Sequence, residues 1–130
     1  MAIYRIAGVR DTGGADNTGI ATSFMCSNYS GVAESLKIRI VSFNGSLVAE
    51  KTFTLSAGHT FTVSTRATNL FGELDYLAPG TLINPPGQAV ISASTPKIAC
   101  SAMIVDAAAA MPNGIPLHMV RFNPQSGTEE

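Results

Sequence analysis

The sequence predicts an all-β fold, an antiparallel β-sandwich of about seven or eight strands with immunoglobulin-like or related topology. Three observations lead there. Apolar and polar residues alternate in several stretches, most clearly in SLKIRIVSF, where Leu36, Ile38 and Ile40 share one face and Lys37 and Arg39 the other. Turn formers punctuate the chain about every ten residues, and no segment reads as a long helix. Cys26 in ATSFMCSN is in phase with Phe24, and Cys100 in KIACSAMIVD is in phase with Ile98, Ala102 and Ile104. Both cysteines therefore belong to the inward set, and their strands are expected to be spatial neighbours.

The elements follow in order. Ile3 to Val9 reads as a first strand, and the turn formers DTGGADNTG come next. Ile20 to Asn28 is a strand, closed by the turn Asn28-Tyr29-Ser30-Gly31. The strands SLKIRIVSF and LVAEKTFTL flank Asn44-Gly45, a pair suited to a type I′ hairpin turn. HTFTVSTR is a Thr-rich strand, consistent with β-branched residues on a pleated surface. From Ala67 to Gly87 the alternation fails, and Pro79-Gly80 and Pro85-Pro86-Gly87 mark a long loop. QAVISAS and KIACSAMIVD follow as strands, then Ala107 to Ala110 as a helical turn or a close-packed corner. IPLHMVRF is the last strand, and residues 123–130 form a polar tail.

At 130 residues the chain fits one domain over 1–130. Apolar residues make up 45%, enough for a core, while charged residues are 13%, about half the usual share. That profile favours an extracytoplasmic address over a cytoplasmic one. No hydrophobic leader follows Met1, so either the chain stays in the cytoplasm or Met1-Ala2 replaces a removed signal. The net charge is −1, and Arg5, Arg10, Arg39, Arg66 and Arg121 are scattered, which argues against a nucleic-acid partner. No apolar run approaches the ~20 residues of a membrane span. Cys26 and Cys100 allow one disulfide, or two buried thiols, and lack the spacing of zinc or CxxC chemistry.

One block has a recognisable order. FMCSN precedes LKIRIVSF, then come Asn-Gly, FTLSAGHTFTVST, a proline-rich loop and AVISASTPKIACSAMIVD. This order, spanning Ser23 to Asp106 with its best matches at Phe53 to Thr60 and Ser94 to Val105, resembles the small β-sandwich of the sensory rhodopsin transducer family and its bacterial relatives. DTGGADNTG stands where that family has a Gly-Pro-rich loop, and Ile104-Val105-Asp106 where it has Arg-Leu-Asp. The resemblance implies a homo-oligomeric binding or scaffold module without catalytic residues; the phototaxis role of that family is not carried over.

Several residues invite chemistry. Asp11-Thr12-Gly13 matches the tripeptide of aspartic proteases, but Val9-Arg10 stands where apolar residues are needed, so a plain turn is expected. Asp11, Asp16 and Asn17 are oxygen donors without calcium-loop spacing. His59 and His118 are the only histidines, and a metal site would need a carboxylate such as Asp106 to join them. Glu73 and Asp75 are too close in one loop to flank a glycosidic bond. Tyr29, Phe71 and Tyr76 are candidate platforms for a glycan. Asn28-Tyr29-Ser30 and Asn44-Gly45-Ser46 match the N-glycosylation pattern.

The resulting expectation is a non-catalytic, self-associating structural or binding module, without cofactor or metal. Its contacts are expected at low-charge faces and at Leu70, Phe71, Leu74, Tyr76 and Leu77 of the 67–87 loop. In a plain monomer the same five residues would cover one open end of the sandwich. A carbohydrate- or small-ligand-binding sandwich is the alternative, and an aspartic-type hydrolase the remote one.

Overall fold

The computed structural model describes residues 2–71, 73, 75–109, 111, 113–123 and 128–129, with side chains up to Arg121. Its strands are β1 (Ala2–Thr12), β2 (Ile20–Asn28), β3 (Glu34–Val41), β4 (Leu47–Leu55), β5 (Thr60–Ser64), β6 (Asp75–Tyr76), β7 (Leu82–Ala93), β8 (Ile98–Asp106), β9 (Ile115–Pro116), β10 (Met119–Asn123) and β11 (Thr128–Glu129). The larger sheet has six strands in the order β11-β10-β1-β7-β3-β4, and the smaller has five in the order β6-β5-β2-β8-β9. All pairings are antiparallel except β5 with β6. Among the described residues there is no helix.

The two sheets bury one core between them. Leu36, Ile38 and Ile40 of β3 and Ala89, Ile91 and Ala93 of β7 come from the larger sheet. Phe24 and Cys26 of β2, Phe61 and Val63 of β5 and Ile98 and Ala102 of β8 face them. These are the residues that the period-two pattern turns inward, because alternate Cβ atoms leave opposite faces of a pleated strand.

The first strand runs past its expected end, to Thr12, and its phase changes on the way. Tyr4 and Ile6 are buried, and then Val9 and Asp11. A register shift between Ala7 and Val9 accounts for the change. Gly8 sits in it with φ 88°, a backbone conformation that glycine adopts without steric cost. A second irregularity between Val9 and Asp11 leaves residues 84–86 unpaired opposite β1, so the Pro85-Pro86 pair, which lacks N–H donors, is accommodated within β7. The expected loop therefore ends at Thr81 rather than Gly87.

Other boundaries also differ from the expectation. The hairpin after β3 is not type I′: Gly45 has φ 87°, but Asn44 is not in the left-handed region. The Gly45 N–H donates to Ser42 O at 3.0 Å, a turn followed by one left-handed glycine. IPLHMVRF is not one strand. Ile115–Pro116 pairs with β8, whereas Met119–Asn123 pairs with β1 in the other sheet. Leu117 packs on the core at the crossing. Thr128 and Glu129, in the expected tail, pair with Asn123 and Phe122.

Two side chains tie the layers together. Thr22 Oγ1 donates to Arg10 O at 2.8 Å and accepts from Arg10 N at 2.9 Å, joining β2 to β1. The Tyr4 hydroxyl donates to Ile98 O at 3.2 Å and accepts from Cys100 N at 3.3 Å. β9 covers β8 only at Met103 and Ile104, so Tyr4 satisfies backbone groups that the short edge strand does not reach.

Candidate functional site

Cys26 and Cys100 are directly opposite each other in the β2–β8 ladder and form a disulfide, with Cα atoms 4.1 Å apart. The bond joins neighbouring strands of one sheet. Cys26 is fully buried and Cys100 partly so, both on the core side.

Asp11 has an exposure of 0%, and so does Arg66 just beyond β5. Arg66 Nε donates to Asp11 Oδ2 at 3.1 Å and Nη2 donates to Oδ1. Arg66 Nη1 donates to Ala15 O at 2.9 Å and to Thr18 O at 3.0 Å. The Gly13 N–H adds a 2.8 Å bond to Asp11 Oδ1, and the Asn17 N–H donates to Ala67 O at 2.9 Å. The turn-forming stretch thus wraps around a guanidinium. The carboxylate and carbonyl oxygens converge on a cation, but that cation is the chain's own arginine. An enclosed carboxylate held on both oxygens has no surface at which to activate water, and Asp16 remains exposed at the turn.

The carboxylates of the long loop are held separately. Glu73 Oε1 accepts from Thr68 Oγ1, from Thr68 N at 3.2 Å and from Ser64 Oγ at 3.1 Å. Ser64 in turn bonds the buried Ser23 at 2.7 Å. Asp75 Oδ1 instead lies 2.8 Å from Lys51 Nζ, which also donates to Tyr76 O at 3.0 Å. The Lys51 hydrogen bond, with help from the Tyr76 N–H, holds the Asp75 carboxyl below its ordinary pKa.

The five candidate contact residues divide. Leu70 and Phe71 pack with Met103 on Ala21, Val105 and Ala107, on the outer side of the smaller sheet. Leu77 is buried in the main core, Tyr76 is half-buried in β6, and Leu74 lies outside the described residues. Leu70 and Phe71 therefore cover part of the outer side of the smaller sheet, whereas Leu77 belongs to the core between the sheets. Tyr29, by contrast, is 55% exposed.

His59 and His118 line different depressions, one beside Phe53 and Phe61 and the other beside Arg5 and Gln88. No cluster of three His, Cys, Asp or Glu side chains suited to a metal occurs among the described residues. The Asn28 side chain is buried and donates to Val32 O at 2.7 Å and Leu55 O at 2.9 Å, so it cannot accept a glycan in the folded chain. Asn44 is exposed. No helix among the described residues is long and apolar enough to cross a membrane.

One surface the sequence reading did not single out is built by register. Ser23, Met25 and Ser27 of β2 point outward, paired with Ser64, Thr62 and Thr60 of β5 and with Met103, Ser101 and Ala99 of β8. The covering loop occupies the Ser23 end. The rest carries no charge: Thr60, Ala99 and Ser101 are exposed, and Met25, Ser27 and Thr62 are half-buried. The outer face of the larger sheet instead carries Arg5, Lys37, Arg39 and Glu50, with Glu50 3.8 Å from Lys37 and 3.7 Å from Arg39. Searches of family models, curated proteins and solved structures find no match to the chain.

Proposed function

We propose that the protein is a non-catalytic structural module that associates with copies of itself through the outer face of the smaller sheet. The observation that carries this reading is the uncharged surface of Met25, Ser27, Thr60, Thr62, Ala99 and Ser101 in a chain with 17 Lys, Arg, Asp and Glu residues. A two-fold contact sets each patch against itself. A charged patch would then oppose like with like, whereas hydroxyl and methyl groups meet without that penalty. Charge depletion is also what distinguishes the centre of an interface.

The edge of the larger sheet is a poorer contact. Among the described residues β4 pairs only with β3, but Lys51 turns inward in the middle of it, a device that discourages strand addition. The resemblance to a homo-oligomeric sandwich family points the same way as the neutral face. The disulfide supports an oxidising, extracytoplasmic setting.

Light scattering across protein concentration tests the proposal. The expected result is a mass that rises to a multiple of 13.5 kDa as concentration increases. A mass that stays at that of one chain throughout overturns it.

A further inference from the structure

The side of the sandwich where β4 and β5 pass from one sheet to the other is not fully closed. A cleft of about 270 Å3 opens there. Phe53, Leu55 and Phe61 form its apolar floor, and Ser56, His59 and Asp75 stand at its rim. The two phenyl rings are 5.0 Å apart and tilted by 58°, so the floor is an aromatic corner rather than a flat wall.

The charges at the rim restrict what can enter. Lys51 Nζ lies 2.8 Å from Asp75 Oδ1 and is also fixed by Tyr76 O. An organic cation approaching Asp75 meets the lysine ammonium already there, and an organic anion meets the carboxylate. Either must break an ion pair to bind. A neutral molecule breaks nothing: its hydroxyl groups donate to a carboxylate already fixed in position and exchange hydrogen bonds with Ser56 and His59, while its ring rests on Phe53 and Phe61.

We propose that this cleft binds a neutral, hydroxyl-bearing molecule the size of a single ring. A hexose and a phenol share that chemistry, one through its C–H face and the other through its aromatic face. The site is separate from the outer sheet face, so it stands or falls independently of self-association.

Two-dimensional amide NMR on the full, oxidised chain tests it, with D-glucose and phenol as the neutral probes and D-glucosamine and D-glucuronate as charged counterparts of the sugar. The expected result is a saturable shift confined to Phe53–Phe61 and Asp75 with at least one neutral probe. Which probe gives it distinguishes a sugar from a phenolic ligand. The responding probe should bind about tenfold more weakly to Phe53→Leu, which loses the ring but keeps an apolar side chain. His59→Ala, altered at an exposed side chain, should also weaken binding and serves if Phe53→Leu does not fold. The proposal is overturned if neither neutral probe gives a saturable shift at these residues. Equal binding of the charged sugars, or unchanged binding in a folded variant, also overturns it.

Discussion

Arg66 and Asp11, 55 residues apart, meet as a two-pronged ion pair at the centre of the turn that joins β1 to β2. Both are fully enclosed, and Nη1 of the guanidinium donates to the carbonyls of Ala15 and Thr18. The turn is thereby organised by a residue that arrives from the end of β5. Arg66→Ala removes both guanidinium bonds to the buried Asp11 carboxylate, leaving it only the Gly13 N–H, and it should cost about 3–5 kcal/mol of stability in urea denaturation. Arg66→Lys should recover little of that loss, because an ammonium cannot reproduce the planar fork. The double replacement Asp11→Leu with Arg66→Met removes the charges but also the guanidinium bonds to Ala15 O and Thr18 O, so it should remain less stable than the parent chain. A double variant as stable as the parent would show that the carbonyl bonds contribute nothing.

The disulfide closes a loop of 74 residues. In the chain-entropy account, such a closure stabilises the folded chain by about 4 kcal/mol. Replacing Cys26 and Cys100 together with Ala should lower the denaturation midpoint accordingly. A dithiothreitol-treated parent chain should approach the same midpoint, and a midpoint that does not move under either treatment refutes the assignment.

Gly8 is the hinge of the phase change in β1. Gly8→Ala forces a side chain into a left-handed conformation and sets its Cβ 3.4 Å from Leu117 Cδ2. A loss of about 1–2 kcal/mol is expected, read as a drop in thermal midpoint. The same change at Gly31, where a Cβ meets nothing within 4 Å, isolates the backbone cost from the contact.

Asp75 gives a small acid dependence. Its folded pKa lies below the unfolded one, chiefly because of Lys51. The stabilisation is therefore present above the unfolded value, near pH 4, and is lost as pH falls through the folded value. Both side chains are 42% exposed, so the effect should stay below about 1 kcal/mol. Comparing denaturation of the parent chain and Asp75→Asn between neutral and acid pH measures it. The difference between them should shrink as the solution becomes acid, and a difference that grows contradicts the sign.

Charge placed on the neutral face should abolish self-association without unfolding the chain. Ser101→Lys, at an exposed position, should reduce the scattering mass to that of a single chain and leave the melting temperature nearly unchanged. An oligomer that survives this change at the same concentrations would exclude the face as the contact.

The parts of this fold that can be read from sequence are those decided by period two alone. Leu36, Ile38 and Ile40 face the core as their alternation requires, and the in-phase cysteines are cross-strand partners. What alternation does not carry is a change of phase or of sheet. The bulge at Gly8 turns Asp11 inward, although counting from Tyr4 and Ile6 would have buried Arg10. IPLHMVRF keeps a plausible strand pattern straight through the point at which the chain changes sheets. Leu70 and Phe71 looked unpartnered because Ala21 and Val105, which they cover, come from strands far away in the chain. Phe53 and Phe61 are both recognisably inward, yet nothing in their spacing says that the two sheets leave a cleft beside them.

The placement of β1 between β7 and β10 has a consequence for biosynthesis. β1 leaves the ribosome before either neighbour, which begin at Leu82 and Met119. Until Leu82 to Ala93 has been made, the apolar side chains Ile3, Ile6 and Val9 have no sheet to join, and one edge of β1 stays bare until Met119 to Asn123 follows. Pairings this distant along the chain fold slowly and leave strand edges exposed in the meantime. Nascent chains halted before Met119 should therefore be the form that aggregates and that chaperones hold.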